Sequence, residues 1–249
     1  NKSLVCIKCV VIDRLRDSPS NLCKEYPHLK KRFDVGRELL KWIAIVTMTI
    51  DHLGAILCSD YTVLRIVGRL SFPIFCYLLI LGMESTKKLR NYFIRLFLFA
   101  LISQVPFDLA FGFKPFEHLN IFFTLSSGVL FIHFHRNPLV SLLVVLAHFL
   151  NFDFGPYGIA LIGCMYILKQ NTEYGIVSIA LLNVLSLLMW NTQIYSLLAL
   201  PIILLYKSGF LKIQRKLNGN IAYPLWRKYL FYVYYPSHLA MLYLFKSTF

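Results

Sequence analysis

Apolar positions along this chain fall into nine runs, at about residues 39–58, 64–83, 92–112, 119–134, 138–152, 155–169, 174–190, 193–207 and 229–246. Long apolar runs with neither strand alternation nor a polar helical face are the pattern of helices that lie in hydrocarbon. Pro73, Pro106, Gly155-Pro156 and Pro201 punctuate several of them. In a bundle, neighbouring helices or a cavity re-satisfy the backbone groups that such residues free. The fifth and sixth runs are the weakest as complete spans. The pattern predicts an all-α, polytopic integral membrane helical bundle of about nine transmembrane helices over residues 37–249. Residues 1–36 are mixed and basic, and read as a flexible or surface-lying cytoplasmic tail. Their apolar patch, Val10–Ile12, is too small to span a bilayer.

Polar positions inside the runs are few, and so they carry information. Residues 41–77, KWIAIVTMTIDHLGAILCSDYTVLRIVGRLSFPIFCY, place Asp51 and His52 on the first helix and Arg65 and Arg69 on the second. Charged side chains at membrane depth are costly; they turn to a bundle interior or a wet cavity and mark functional sites. With entry near Lys41, His52 lies ~16 Å deep, and with return from Tyr61, Arg69 lies ~12 Å deep, at 1.5 Å per residue. Arg65 and Arg69 are four apart and share a face. An ion pair between Asp51 and either arginine serves as a structural pin between helices. Such a pin has no need of the titratable His52 beside it. In the last run, KYLFYVYYPSHLAMLYLF, His238 lies about 13 Å from Tyr229 along the axis, and Pro236 loosens the helix just before it. Tyr229, Tyr232, Tyr234 and Tyr235 suit an interfacial aromatic belt. Tyr235, beside the proline, suits a cavity wall equally well.

A second set of polar residues collects at run ends. Asp108 ends the third run, His118 and Asn120 open the fourth, and Asp153 closes the fifth. Helix caps and loop positions at the water boundary account for each of them. Asn120 stands out because Thr124 and Ser127 extend a polar stripe from it, although Ser and Thr in membrane helices also bond their own backbone.

Composition agrees with this picture. The chain has 249 residues, 57% hydrophobic and 16% aromatic, with a mean hydropathy of +0.61, too apolar for an ordinary soluble domain. A net charge of +14 would by itself suggest a nucleic-acid partner. Its distribution argues against one. Of 26 Lys and Arg, 22 fall in the tail or in and beside alternate connections, which places the N-terminus and those connections in the cytoplasm. The Cys6-x-x-Cys9 pair lacks a second pair, so no metal site is expected from it. Cys58, Cys76 and Cys164 read as small core residues. No short apolar core followed by a small-residue cleavage site marks a secretory signal.

Five stretches follow one another over most of residues 40–245: LKWIAIVTMTIDHLGAIL, LRIVGRLSFPIFCYLLILGMESTKKLRNYFIRLFLFALISQVPFDLAFG, LNIFFTLSSGVLFI, FGPYGIALIGCMYIL and KYLFYVYYPSHLAMLYL. Together they resemble the TraX family, the conjugative F-pilin acetylase-like proteins. DH in the first helix, RIVGRLSFPIF in the second and FYVYYPSHL in the last carry the resemblance jointly. It does not extend to the Cys-containing tail or, in detail, to the basic connection before the last helix. The resemblance implies membership of a wider group of transmembrane acyltransferases. These use a deep histidine and move acyl groups from cytoplasmic coenzyme A to acceptors across the membrane. It therefore implies a multi-pass acetyltransferase of the bacterial inner membrane, in contact with membrane lipid. Acetyl-CoA would be its co-substrate and a pilin-like protein or a glycan its acceptor.

Acyl transfer needs a base for the attacking amine or hydroxyl and positive or hydrogen-bonding groups for the developing oxyanion. His52 is the best base, with Asp51 balancing charge and His238 as a second acid or base. Arg65 and Arg69 suit a polarised carbonyl or an acceptor anion; Asp108, Asn120 and Tyr235 complete the expected substrate set. Lys87, Lys88, Arg90 and Arg215, with Lys212 and Lys216, are cytoplasmic cations available to the phosphates of coenzyme A, although topology also accounts for each. The same buried cluster suits a secondary transporter or proton-coupled anion carrier. The inverted repeat of many carriers is not visible, since the DH, RxxxR and PSH motifs each occur once. A non-catalytic assembly partner is the third class, and in it apolar replacements of His52 and Arg69 are harmless.

Overall fold

A computed structural model of the chain describes residues 33–58, 60–187, 191–210, 214–215 and 225–248. Of the tail expected over residues 1–36, residues 1–32, with Cys6, Cys9 and Cys23, lie outside the described residues, as do the side chains of Lys212, Arg215 and Lys216; the last four residues are not tail, since Phe33–Asp34 pair as a strand and Val35 opens the first helix. The apolar runs become helices. The first, α1 (Val35–Ile56), starts ahead of its run because Asp34 caps it, accepting a hydrogen bond from Arg37 N at 3.0 Å.

The second run does not form one helix. It divides into α2 (Thr62–Gly68) and α3 (Ser71–Glu84), with the break at Arg69–Leu70. Pro73 has no N–H to give to the Arg69 carbonyl four residues back, so the ladder is interrupted there. Next, α4 (Leu89–Phe111) runs on through Pro106 and ends at Gly112 in the left-handed conformation, φ 74°. Then come α5 (Ile121–His133), a 3₁₀ turn (Pro138–Ser141) leading into α6 (Leu142–Phe149), α7 (Gly155–Gln170) and α8 (Thr172–Ser186). A 3₁₀ stretch (Asn191–Leu198) leads into α9 (Ala199–Lys207), and α10 (Leu225–Thr248) closes the order with Pro236 inside it. Among the described residues, strand pairing is confined to Phe33–Asp34 (β1) against Gln214–Arg215 (β2), antiparallel.

Among the described residues, three segments are long and apolar enough to cross a membrane: Val35–Ile56, Thr62–Glu84 and Leu89–Phe111. Several other helices are shorter. The outward faces also carry large apolar side chains. Leu98, Ile102 and Val105 on α4, and Val177, Leu181 and Val184 on α8, are each more than half exposed and recur at helical spacing. Stripes of this kind in water would drive association; against lipid they need no cover. The chain is thus a helical membrane protein, with its polar groups turned inward.

Contacts at the helix ends bear out the up-and-down order. Arg37 donates to Ser85 Oγ at 2.9 Å, Lys169 pairs with Glu84 at 3.0 Å, Tyr206 donates to Asp34 at 2.6 Å and Lys207 to Thr172 Oγ1 at 2.6 Å. These residues gather at one end, the end that carries the basic connections. At the other end Leu119 and Phe152 form a backbone bridge.

Candidate active site

The site begins where α1 and α2 cross. Gly54 faces Leu64 and Gly68 faces the Asp51 carboxylate so closely that a Cβ at either position would overlap them. The missing side chains let the backbones approach. In that crossing Arg65 Nη1 donates to Asp51 Oδ2 at 2.9 Å and to the Asp51 carbonyl at 3.1 Å. Of the two arginines expected as partners, Arg65 is the one that pairs. Asp51 Oδ1 is left buried without a hydrogen bond. Arg69, just past α2, donates instead to Gln193 Oε1 at 3.3 Å, and its Nε is buried and unpartnered.

His52 and His238 meet. His52 Nδ1 lies 2.7 Å from His238 Nε2, and the two rings are nearly parallel with centroids 4.9 Å apart. His238 Nδ1 lies 2.9 Å from the Tyr234 carbonyl oxygen. A carbonyl only accepts, so His238 Nδ1 carries the proton and its Nε2 presents a lone pair. For two neutral rings, His52 Nδ1 must then be the donor, and His52 Nε2 is left with a lone pair. The hydroxyl of Tyr234 lies 2.7 Å from Thr49 Oγ1, which ties α10 to α1 beside the pair. Phe111 and Tyr235 meet His52 at steep angles, with centroids 5.8 and 6.0 Å away.

Along α1, His52 stands nearer the end of the helix than its start. Because α1 starts at Val35, His52 lies ~26 Å from its first residue and only ~6 Å from Ile56 at 1.5 Å per residue. The site therefore sits toward the end of the bundle opposite the basic connections.

A cavity of about 70 Å³ lies there, its wall including Asp51, His52, Arg65, Arg69, Asp153 and Tyr235. His238 stands behind His52. The Tyr235 hydroxyl is buried without a sound hydrogen bond. Asp153 reaches the cavity because its loop is clipped to the start of α5: Asp153 N donates to the Leu119 carbonyl at 2.8 Å, and Leu119 N to the Asn151 carbonyl at 3.0 Å. As a carboxylate at the end of a run it reads in sequence as a loop residue, and only this backbone clip makes it a wall. Gln193 gave no sequence signal beyond being an amide at the edge of an apolar run. Tyr234 acts through its carbonyl, which no side-chain pattern reports.

Asp108 and Asn120 are not brought to this cavity. Gln104 joins them: its Nε2 donates to Asp108 Oδ1 at 2.7 Å and to the His118 carbonyl at 2.6 Å, and its Oε1 accepts from Asn120 Nδ2 at 2.8 Å. Asn120 also caps α5 by accepting from Phe122 N at 3.0 Å. Their polar atoms are thus occupied in the α4–α5 corner. Lys87, Lys88 and Arg90 are exposed at the opposite end of the bundle. From Leu89 to Phe111, the residue against His52, α4 rises about 33 Å, past the buried Leu96, Ala100 and Phe107. The cations and the histidines are not brought together. The cavity has room for an acyl group and its carbonyl; the body of coenzyme A needs the several hundred cubic ångströms typical of ligand pockets.

The model of the family described as TraX protein matches residues 36–246. A probable fimbrial assembly protein FimC, serogroup H1, of Dichelobacter nodosus is 26% identical over 238 residues, covering 86% of this chain and 97% of the relative. An uncharacterized protein of Rickettsia prowazekii (strain Madrid E) is 32% identical over 105 residues, covering 42% of this chain and 40% of the relative. No solved structure matches. The matched span contains every residue placed around the cavity, from Asp51 to His238, and the chain belongs to the TraX family.

Proposed function

We propose that the protein is a multi-pass acyltransferase of the bacterial inner membrane. It moves an acetyl group from acetyl-CoA to an amine or hydroxyl acceptor, on a pilin-like protein or a surface glycan. The observation that carries this reading is the oriented base. His52 Nδ1 is committed to His238, which leaves Nε2 as the lone pair of a ring that lines a small cavity with two arginines and an unpartnered tyrosine hydroxyl. A structural pin between helices has no use for that arrangement. The name of the Dichelobacter nodosus relative points to fimbrial assembly, which is why a pilus-associated acceptor is part of the proposal.

The chemistry follows the atoms. As the acceptor N–H or O–H approaches the thioester carbonyl, His52 Nε2 takes its proton and the acceptor atom bonds to the carbonyl carbon. The imidazolium that forms is stabilised through Nδ1–H by the His238 lone pair, in the role of the orienting member of a catalytic triad. The carbonyl oxygen becomes an oxyanion. Tyr235 Oη–H and the free Nε–H of Arg69 are the donors available to it, in a site where low dielectric strengthens both. The C–S bond then breaks, and the proton on His52 passes to the leaving thiolate. Asp51 keeps Arg65 in place and offsets its charge. In this reading Lys87, Lys88, Arg90 and Arg215 attract the polyanionic donor to the cytoplasmic face and do not hold it during transfer.

The test is acetyl-CoA binding and turnover by the detergent-purified protein, wild type beside His52→Ala. Saturable binding by both is expected, with hydrolysis or transfer lowered by about 10²–10⁴ in the variant, the usual share of a general base. Equal turnover, or no binding by a folded sample, removes the reading. The cluster is then to be tested for proton-coupled anion uptake in proteoliposomes.

A further inference from the structure

Behind Asp153 lies a second, larger and more open apolar cleft of about 580 Å³, a chamber open on one side between α6, α7 and α8. Val144, Phe152, Ala160, Leu182 and Leu185 make its apolar wall, and His118, His148, Asn151 and Asp153 supply polar groups. Asp153 lines both this chamber and the histidine cavity. The histidine cavity alone holds little more than the acyl group, so an acceptor needs an adjoining space, and this one shares a wall with it.

We propose that this chamber seats the alkyl chain of a lipid acceptor, and that Asp153 draws the amine of its head group to His52. This rests on the acyltransferase reading and assigns it a lipid amine in place of the pilin-like or glycan acceptor. Shape selects the occupant. An α-helix with side chains is about 10–12 Å across, so a space of this volume holds no more than a turn or two of one, whereas a single flexible chain can lie along its apolar wall. Lipid is also at hand: the neighbouring Leu146, Phe149, Leu181 and Val184 on α6 and α8 are each about half exposed or more on the bundle surface. Charge selects the head group. Asp153 lies in the loop between α6 and α7, where burial pushes its carboxyl up to about 7; its charged form attracts an ammonium and takes the proton that the ammonium must lose before its nitrogen attacks the thioester. The ammonium gives one proton to the Asp153 carboxylate, which returns it to water; one C–N bond forms, one C–S bond breaks, and the second amine proton leaves through His52 Nε2 to the thiolate.

The experiment uses the full chain in vesicles of phosphatidylethanolamine and phosphatidylglycerol, doped with a phosphatidylethanolamine whose acyl chain bears a diazirine. After illumination, adducts are mapped by mass spectrometry. In parallel, radiolabelled acetyl-CoA is supplied and label is counted in the lipid and protein fractions. Adducts are expected on residues 144–160 and 182–186. Ala160→Phe, which fills the chamber, should reduce them at least fivefold, and Ala160→Leu by less. His52→Ala should leave them unchanged. Adducts on the outward face of α4, around Leu98–Val105, report that each variant is folded in the membrane. Acetyl label should appear in lipid, fall at least fivefold in Ala160→Phe and vanish in His52→Ala.

Adducts spread evenly over the lipid-facing helices and indifferent to Ala160→Phe overturn the proposal. So does acetyl label confined to protein, which makes the chamber a peptide site. Chamber adducts without acetyl label in any wild-type fraction refute the acyltransferase reading instead, and with it the acceptor role, while the alkyl-chain seat itself stands.

Discussion

The backbone carbonyl of Tyr234 sets the protonation of two rings. It accepts from His238 Nδ1, His238 Nε2 accepts from His52 Nδ1, and the lone pair left over belongs to His52 Nε2. In the proposed reaction His238 is thus a positioning residue. His238→Gln keeps an acceptor near His52 Nδ1, whereas His238→Phe removes it and leaves the ring free to turn. We expect Phe to lower kcat by about 10²-fold, at the lower end of what a well-placed base contributes, and Gln to retain more, with KM for the acyl donor little changed by either. Wild-type kcat in His238→Phe would falsify the relay. Gly68 makes a separate prediction, about stability. Its missing Cβ is what lets Asp51 reach Arg65, so Gly68→Ala should cost about 1–3 kcal/mol from overpacking, read as a lower Tm in detergent. Unchanged Tm would mean that α1 and α2 separate freely at this crossing.

Between residue and bundle stand the helices. Sequence periodicity placed their bodies well because apolar runs in lipid have few alternatives, but it could not place their ends or breaks. Asp34 starts α1 early through a cap, and Pro73 splits the second run by withholding one hydrogen bond. That split leaves Arg69 just past α2, where it reaches the amide of Gln193 rather than the carboxylate of Asp51. The α4–α5 corner is held by Gln104, which makes four hydrogen bonds to Asp108, His118 and Asn120. Gln104→Leu keeps the volume but orphans an Asp108 oxygen, the His118 carbonyl and the Asn120 N–H, at about 1–3 kcal/mol each. We expect a marked fall in Tm and an intact response of the remaining folded protein to His52→Ala. A stable Gln104→Leu would show that water reaches the corner.

Across the whole molecule, charge and hydropathy act on topology while packing acts on the site. Among the described residues, the lysines and arginines lie mainly at one end of an up-and-down bundle and the histidine cavity near the other. Labelling with a membrane-impermeant maleimide, in a background with the native cysteines changed to serine, checks the orientation. Lys114→Cys should react in intact cells and Lys87→Cys only after lysis; the reverse pattern would invert the bundle and the side from which the acceptor enters.

Read from residues alone, the chain already showed a membrane bundle, an alternating order of connections and a set of ionisable residues within apolar runs, Asp51, His52, Arg65, Arg69 and His238, of which the structure buries the two histidines and half-buries the rest. Each of these follows from solvation: lipid excludes charge, so apolar length, flanking lysines and the rare ionisable residue within a run are all visible one residue at a time. Partner choice follows a different rule, because it depends on distances between segments far apart in the chain. Whether Asp51 met Arg65 or Arg69 turned on a glycine and a proline that shape one crossing. Asp153 became a cavity wall through a backbone clip to Leu119, and Asp108 and Asn120 were drawn away by Gln104. Hydrogen bonds reach about 3 Å, and a run of hydropathy carries no information at that scale until the helices are packed.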